Sequence, residues 1–266
     1  MSGARVEVES TMSWTADGPG SALLIVRVAE AADQRVIDER VSAAGAEIEY
    51  GPVDALGNRP MRLHTDGGDV RVLYRASVEV DGDAREAPHD DVALPDGADL
   101  AFDLLPWVLP SRYATSDALA PTADSVFGEV PRTRALIPLV GDWIRDRVVY
   151  QAGASDALTT ADETLLARQG VCRDMAHLGV SFLRALEVPA RVVAAYAPFL
   201  DPPDFHALLE AHDGIAWRIV DVTGLAPVAS LVRIATGRDA ADVAWATANG
   251  DIQLDDVQVS AVLMTD

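Results

Sequence analysis

Three side chains in this 266-residue sequence are of the types, and in the order, that thiol acyl transfer requires: Cys172, His206 and Asp221. Cys172 is the only cysteine. It stands in Gly170-Val171-Cys172-Arg173-Asp174-Met175-Ala176-His177, where a glycine turn runs into apolar residues at helical spacing. Those residues are Met175, Leu178, Gly179, Phe182, Leu183 and Leu186, and Pro189 closes the element. The first turn of a helix presents unpaired backbone N–H groups and the positive end of the macrodipole, which favour thiolate over thiol and can hold a developing oxyanion. A lone cysteine is more often a small buried core residue. The residues downstream change that reading here.

Phe205 to His212 and Ile215 to Val222 read as strands separated by Asp213-Gly214, a strong hairpin signal. With a two-residue turn, His212 faces Ile215 and, farther along the ladder, His206 faces Asp221. Opposed side chains on one face lie about 4.5 to 5.5 Å apart at Cβ, so the carboxylate can accept a hydrogen bond from the imidazole. That bond would fix the tautomer and stabilise imidazolium, completing a set of nucleophile, base and orienter. A one-residue bulge would break the register. Asp174 reads as a partner of the helix N-terminus or of Arg173, and His177 as a packed support residue rather than a second base.

Further blocks accompany these residues: Leu109-Pro110-Ser111-Arg112-Tyr113 with Ser116-Asp117, Tyr150 with Gly153-Ala154-Ser155, Thr160 with Glu163-Thr164, and Arg168 to Asp174. His177, Pro189-Ala190-Arg191, Asp204-Phe205-His206-Ala207, Trp217, Asp221 with Thr223, and Gly237 to Val243 continue the series. Together they resemble the transglutaminase-like superfamily, in particular its bacterial members with a β-rich N-terminal region. The resemblance implies an α+β, papain-like core in which Cys172, His206 and Asp221 map onto the catalytic triad. It also makes Tyr150 similar to an aromatic residue near the thiol whose hydroxyl helps bind the oxyanion; an interfacial core tyrosine is the alternative. Members often carry Trp after the His-Ala pair, whereas this chain has Leu208, which is expected to alter the wall of the acyl site.

The implied chemistry is cleavage or transfer of an amide acyl group through a Cys172 thioester, on a peptide, protein or small amide substrate. Hydrolysis, as by a protease, isopeptidase or amidase, is taken ahead of transfer from protein glutamine to an amine. Two readings of other classes stay open: a non-catalytic binding module that keeps the groove, and a scaffold whose work is done by the N-terminal region.

The elements that must position these groups follow from periodicity. Val6 to Trp14, Ala22 to Ala29, Arg35 to Val41, Ala46 to Tyr50 and Val70 to Val80 read as strands, with tight turns at Gly67-Gly68 and Asp81-Gly82-Asp83. They suggest an antiparallel β-sandwich-like module over residues 1–105. The core with its C-terminal extension then spans 106–266. Within it, Leu136 to Val148 and Ala161 to Gln169 are expected helices, and Ala190 to Ala197, Leu231 to Ala235 and Gln258 to Leu263 expected strands.

Composition narrows the function classes. A net charge of −21 makes nucleic acid an improbable partner and gives an anionic bilayer a repelling surface. No apolar run approaches the roughly 18 residues of a membrane span, no signal pattern opens the chain, and a single cysteine excludes an internal disulfide; the cytoplasm is the expected location. The five histidines, at 64, 89, 177, 206 and 212, show no metal-ligand pairing, and the Asp-rich block from Gly237 to Val243 fits a calcium loop poorly, so no metal or cofactor is expected. Arg238 in that block is expected to pin a loop near the cleft. All 21 basic residues are arginine. Schiff-base lysine chemistry is thereby excluded, and self-cross-linking through lysine as well.

Overall fold

Alternating apolar residues at 6, 8, 12 and 14 bury one face of a strand that runs farther than expected: β1 (Ala4–Leu24) absorbs the Gly18-Pro19 step as an irregularity between Ala16 and Gly20. The computed structural model describes residues 4–82 and 85–264, so Asp83, the last residue of the expected turn at 81–83, lies outside the described residues. β2 (Gln34–Ala44), β3 (Glu47–Tyr50), β4 (Met61–Thr65) and β5 (Gly68–Val80) join β1 in an antiparallel sheet ordered β2-β5-β1-β4-β3. β4 was not anticipated; its five residues bury Met61, Leu63 and Thr65 alternately, a pattern too short to stand out. Each large apolar side chain so buried contributes about 1.5–3 kcal/mol.

The helices follow: α1 (Ser116–Phe127), unanticipated because Pro121 lies inside it, then α2 (Leu136–Arg145). A two-residue parallel pair, β6 (Val149–Tyr150) with β7 (Gln169–Gly170), brackets α3 (Ala161–Ala167). Next come α4 (Cys172–Ala185) and a second antiparallel sheet of β8 (Ala190–Tyr196), β9 (Phe205–His212), β10 (Trp217–Val220) and β11 (Val232–Gly237), ordered β10-β9-β8-β11. The short helix α5 (Ala240–Val243) leads into β12 (Ala246–Met264). Residues 246–264, counted with the core in the sequence reading, return to the first sheet and pair along β1 from Leu24↔Ala246 to Arg5↔Met264.

α4 is the hub. Phe127, Trp143 and Phe182 meet edge to face, with Phe182 centroids 5.7 and 5.4 Å from the other two. Gly179 lets α4 lie on β9, since a Cβ there would fall 2.5 Å from Leu209 Cδ2. The two sheets are tied by Tyr196, whose hydroxyl donates to the Val26 carbonyl at 2.8 Å and contacts Ser10 Oγ at 2.9 Å.

The hairpin corrects the expected register. Trp217 faces His212 and Val220 faces Leu209, two positions away from the pairing of a two-residue turn. Asp213 carries no positive φ, so only Gly214 (φ +91) could serve a turn that needs two such residues. Instead the Asp213 carboxylate caps a four-residue loop, accepting from Ile215 and Ala216 N–H at 2.8 Å each, and Asp213 N–H donates to the Ala216 carbonyl at 3.0 Å. β10 accordingly begins at Trp217 and ends at Val220, leaving Asp221 beyond the strand.

Candidate active site

The thiol owes its position to the start of α4. Asp174 is buried, and its Oδ2 accepts the Val171 N–H at 2.9 Å and the Ser155 hydroxyl, while Oδ1 accepts from Arg173 Nη2 at 2.8 Å. The carboxylate thus caps the helix and neutralises Arg173. Gly170 is needed for this close approach, because a Cβ there would lie 2.9 Å from Asp174 Cβ. Cys172, the first helical residue, is half-buried and opens on a cleft of about 630 Å³ that Arg112, Tyr113, Asp204, His206 and Trp245 also line.

β9 and the loop after β10 bring up the other two groups. His206 Nε2 lies 3.2 Å from Asp221 Oδ2, and both side chains are almost wholly buried. Asp221 is held by a ring of donors: Oδ1 takes Thr223 N–H at 2.9 Å and Thr223 Oγ1 at 2.7 Å, and Oδ2 takes Ala226 N–H at 2.9 Å. Burial favours its neutral acid, but His206, Thr223 and Ala226 outweigh burial and hold the carboxyl down to about 2. Burial likewise works against a charged His206, yet Asp221 and Cys172 push the imidazole up to about 9. With Nε2 committed to Asp221, Nδ1 is the nitrogen left for the thiol; it is buried and has no hydrogen-bond partner among the described residues.

Tyr150 reaches the same point by backbone register. It pairs with Gly170, two residues before the thiol, and Gln151 N–H donates to the Gly170 carbonyl at 2.9 Å. Tyr150 is 44% exposed, and its phenol is pushed up to about 12 by partial desolvation first, then by Cys172 and Asp204. His177 sits apart from the thiol. It is fully buried, stacks on Tyr113 at 5.3 Å, and accepts the Ala240 N–H at Nε2 (3.0 Å). Burial, reinforced by Arg173, pulls it down to about 4, so it is a neutral linker between α4 and α5 at physiological pH.

The blocks at 109–113 and 237–243 are joined by α4. Arg184, buried, donates to the carbonyls of Ala190 (2.9 Å), Leu109 (3.0 Å) and Arg238 (2.7 Å) and to Ser111 Oγ (3.0 Å). Asp239 Oδ2 accepts from Tyr113 N–H at 2.9 Å. Arg238 itself pairs with Asp242 at 2.9 Å on the surface.

Leu208 does not form the cleft wall. It is fully buried with Val193 and Ile219 in a separate apolar cluster. That wall includes Trp245, stacked on Phe205 at 5.5 Å, and a run of alanines at 240, 241, 244 and 246. Trp245 and Asp204, whose carboxyl is raised by burial, were not singled out in the sequence. Asp204 stood in a recognised block beside His206; nothing local pointed to Trp245, which arrives through the α5–β12 junction.

Among the described residues, no group of histidine, cysteine and acidic side chains is arranged to hold a metal ion, and no helix is long and apolar enough to cross a membrane.

A helix-borne thiol grouped with a sheet-borne histidine and a carboxylate in the loop after β10 is the architecture of a papain-like thiol protein, and the comparisons narrow it. The family model of the transglutaminase-like superfamily matches residues 123–222, which contain all three groups. The solved structure of a proposed cysteine protease from Cytophaga hutchinsonii superposes with a TM-score of 0.91 at 33% identity, covering 100% of this chain and 92% of that one. The chain belongs to the transglutaminase-like superfamily. An uncharacterized protein of Mycobacterium leprae (strain TN) is 23% identical over 221 residues, 79% of each chain. One from Mycobacterium tuberculosis (strain ATCC 25618 / H37Rv) is 35% identical over 71 residues, 27% of this chain and 23% of its own. Family and neighbour together support a cysteine enzyme.

Proposed function

We propose that this protein hydrolyses an amide bond of a peptide or protein through a Cys172 thioester. The observation that carries the reading is the division of the His206 ring: Nε2 is taken by Asp221 at 3.2 Å, while Nδ1 is buried with no hydrogen-bond partner among the described residues, on a ring that Cys172 helps to push up. Hydrolysis is preferred over transfer because the Cytophaga hutchinsonii relative, 33% identical over nearly its whole length, is described as a proposed cysteine protease.

The Cys172 sulfur, as thiolate paired with imidazolium, attacks the carbonyl carbon. The carbonyl π pair moves to oxygen, which receives hydrogen bonds from the Cys172 N–H and the Tyr150 hydroxyl. His206 delivers its Nδ1 proton to the departing amine as the C–N bond breaks, leaving a thioester. Water then attacks that carbonyl, giving its proton back to Nδ1. The carboxylic acid leaves and the thiolate–imidazolium pair is restored. Asp221 stays ionised throughout and keeps the ring oriented.

The test is incubation with a peptide library in ¹⁸O-labelled water containing a primary amine. Hydrolysis puts one ¹⁸O into each new carboxylate, and Cys172→Ala produces none. Amine adducts in place of labelled carboxylates would make the protein a transferase. Alkylation of Cys172 by iodoacetamide no faster than that of free cysteine would make it an inert binding module.

A further inference from the structure

Trp245 ends a line of aromatic rings that runs from the packed core to the cleft. Tyr74 stacks on Tyr196 with centroids 6.2 Å apart, Tyr196 meets Phe205 at 5.5 Å, and Phe205 stacks on Trp245 at 5.5 Å with 23° between the planes. Burial falls along this line. Tyr74 and Tyr196 are wholly enclosed, Phe205 nearly so, and Trp245 is half-buried where it lines the cleft. Among the described residues Phe205 is its one ring partner, so the array stops at the cleft with indole surface uncovered. The backbone holds that ring in place: the Trp245 carbonyl accepts the Ile25 N–H at 3.0 Å, and the next residue, Ala246, pairs with Leu24.

The wall around Trp245 selects what can occupy it. Phe205, Val243 and the alanines at 240, 241, 244 and 246 have no side-chain hydrogen-bonding group, and the short alanine side chains leave space that a large one fills. A sugar ring or a charged side chain placed there would lose water without finding a side-chain partner, whereas an apolar group loses nothing. The charged groups of the cleft do not alter this balance. Arg173 is neutralised by Asp174, Arg112 lies over the Tyr113 ring at 5.0 Å, and burial raises the Asp204 carboxyl toward its neutral form.

We propose that Trp245 is a specificity-determining residue of this cleft, and that it receives a large apolar side chain, aromatic before aliphatic, from the residue adjoining the scissile amide. An aromatic ring continues the stack from Phe205 and gains the ring–ring contact in addition to the buried area. That the occupant belongs to a peptide substrate rests on the hydrolase reading; that it is large and apolar rests on the wall alone.

The experiment is protection of Cys172 from iodoacetamide by two neutral probes, N-acetylphenylalaninamide and N-acetylglycinamide, which differ only in the benzyl group. Each rate is taken relative to the same protein without probe. The phenylalanine probe should reach half-protection at a concentration at least ~10-fold below that of the glycine probe. Trp245→Ala should abolish that ratio, and Trp245→Phe, which keeps a ring on Phe205, should retain most of it. In the peptide-library digest, Phe, Tyr, Trp, Leu and Met should be enriched on one side of the cleaved bonds, and that side tells whether the acyl or the amine portion meets the indole. Equal protection by the two probes overturns the proposal, as does a ratio unchanged in Trp245→Ala. The wild-type ratio needs neither variant, so the test survives a chain that misfolds on losing the indole. An intact probe ratio without labelled carboxylates defeats the hydrolase reading and supports the Trp245 site; cleavage with no apolar preference does the reverse.

Discussion

Asp221 meets His206 from outside the ladder that carries the histidine. Continued past Val220, the pairing of β9 with β10 would set Thr223 opposite His206, yet it is the Asp221 carboxylate that lies 3.2 Å from Nε2. Thr223 stays in the group, its hydroxyl 2.7 Å from Asp221 Oδ1 and 3.5 Å from Nε2. The carboxylate is therefore fixed by loop hydrogen bonds rather than by strand register.

That arrangement makes amide replacement costly. Oδ1 faces Thr223 N–H and Oδ2 faces Ala226 N–H, so in Asp221→Asn the new NH₂ must point at a donor whichever way the amide turns. Asp221→Asn should lower kcat by roughly 10²–10⁴ and bring the His206 titration down from about 9. A pH profile of Cys172 alkylation reads the second effect, and an unshifted profile would refute the orienting role.

The thiol's alignment depends on how closely α4 approaches β9. Gly179→Ala places a methyl 2.5 Å from Leu209 Cδ2 and 3.4 Å from Val222 Cγ2. It should cost about 1–3 kcal/mol in stability by urea denaturation and slow alkylation of Cys172 by shifting the helix. Leu209→Ala in the same chain should restore part of the alkylation rate; no restoration would place the defect elsewhere.

Arg184 joins three carbonyls and a hydroxyl that belong to β8, the segment at 109–111 and the turn at 238. A lysine cannot reproduce the planar fork, so Arg184→Lys should lose about 2–4 kcal/mol of unfolding free energy. Equal denaturation midpoints for the two chains would contradict the linking role.

His177 gives the fold an acid-side weakness. Its folded pKa, about 4, is below the unfolded value of 6.5, so the unfolded chain takes up the proton first as pH falls. The penalty is absent above 6.5, grows on descent, and is complete below about 4, where it reaches up to about 3 kcal/mol. Thermal melts of His177→Gln should lose less stability than the wild type between pH 6.5 and 4, and parallel curves would rule the assignment out.

The nucleophile was legible because its signals are local. Glycine, the helix start and the 3.6-residue apolar rhythm after Cys172 all fall within the seventeen residues from Gly170 to Leu186, and α4 begins at that cysteine. The C-terminal end of β9 was equally plain, since Asp213-Gly214 follows directly on His212. Local chemistry also marked Asp174 as partner to Arg173.

What sequence could not decide was how the pieces meet. The length of the turn after His212 depends on whether the Asp213 side chain caps its own loop, a choice made by hydrogen bonds that no pattern of apolar residues encodes. Trp245 reaches the cleft, and β12 reaches β1, through contacts between residues more than 200 positions apart from their sheet partners, where pairing is selected by the whole packed core. Residue types set which chemistry was available. Long-range strand pairing and side-chain capping set which atoms face one another, because those energies exist only once distant segments are already in contact.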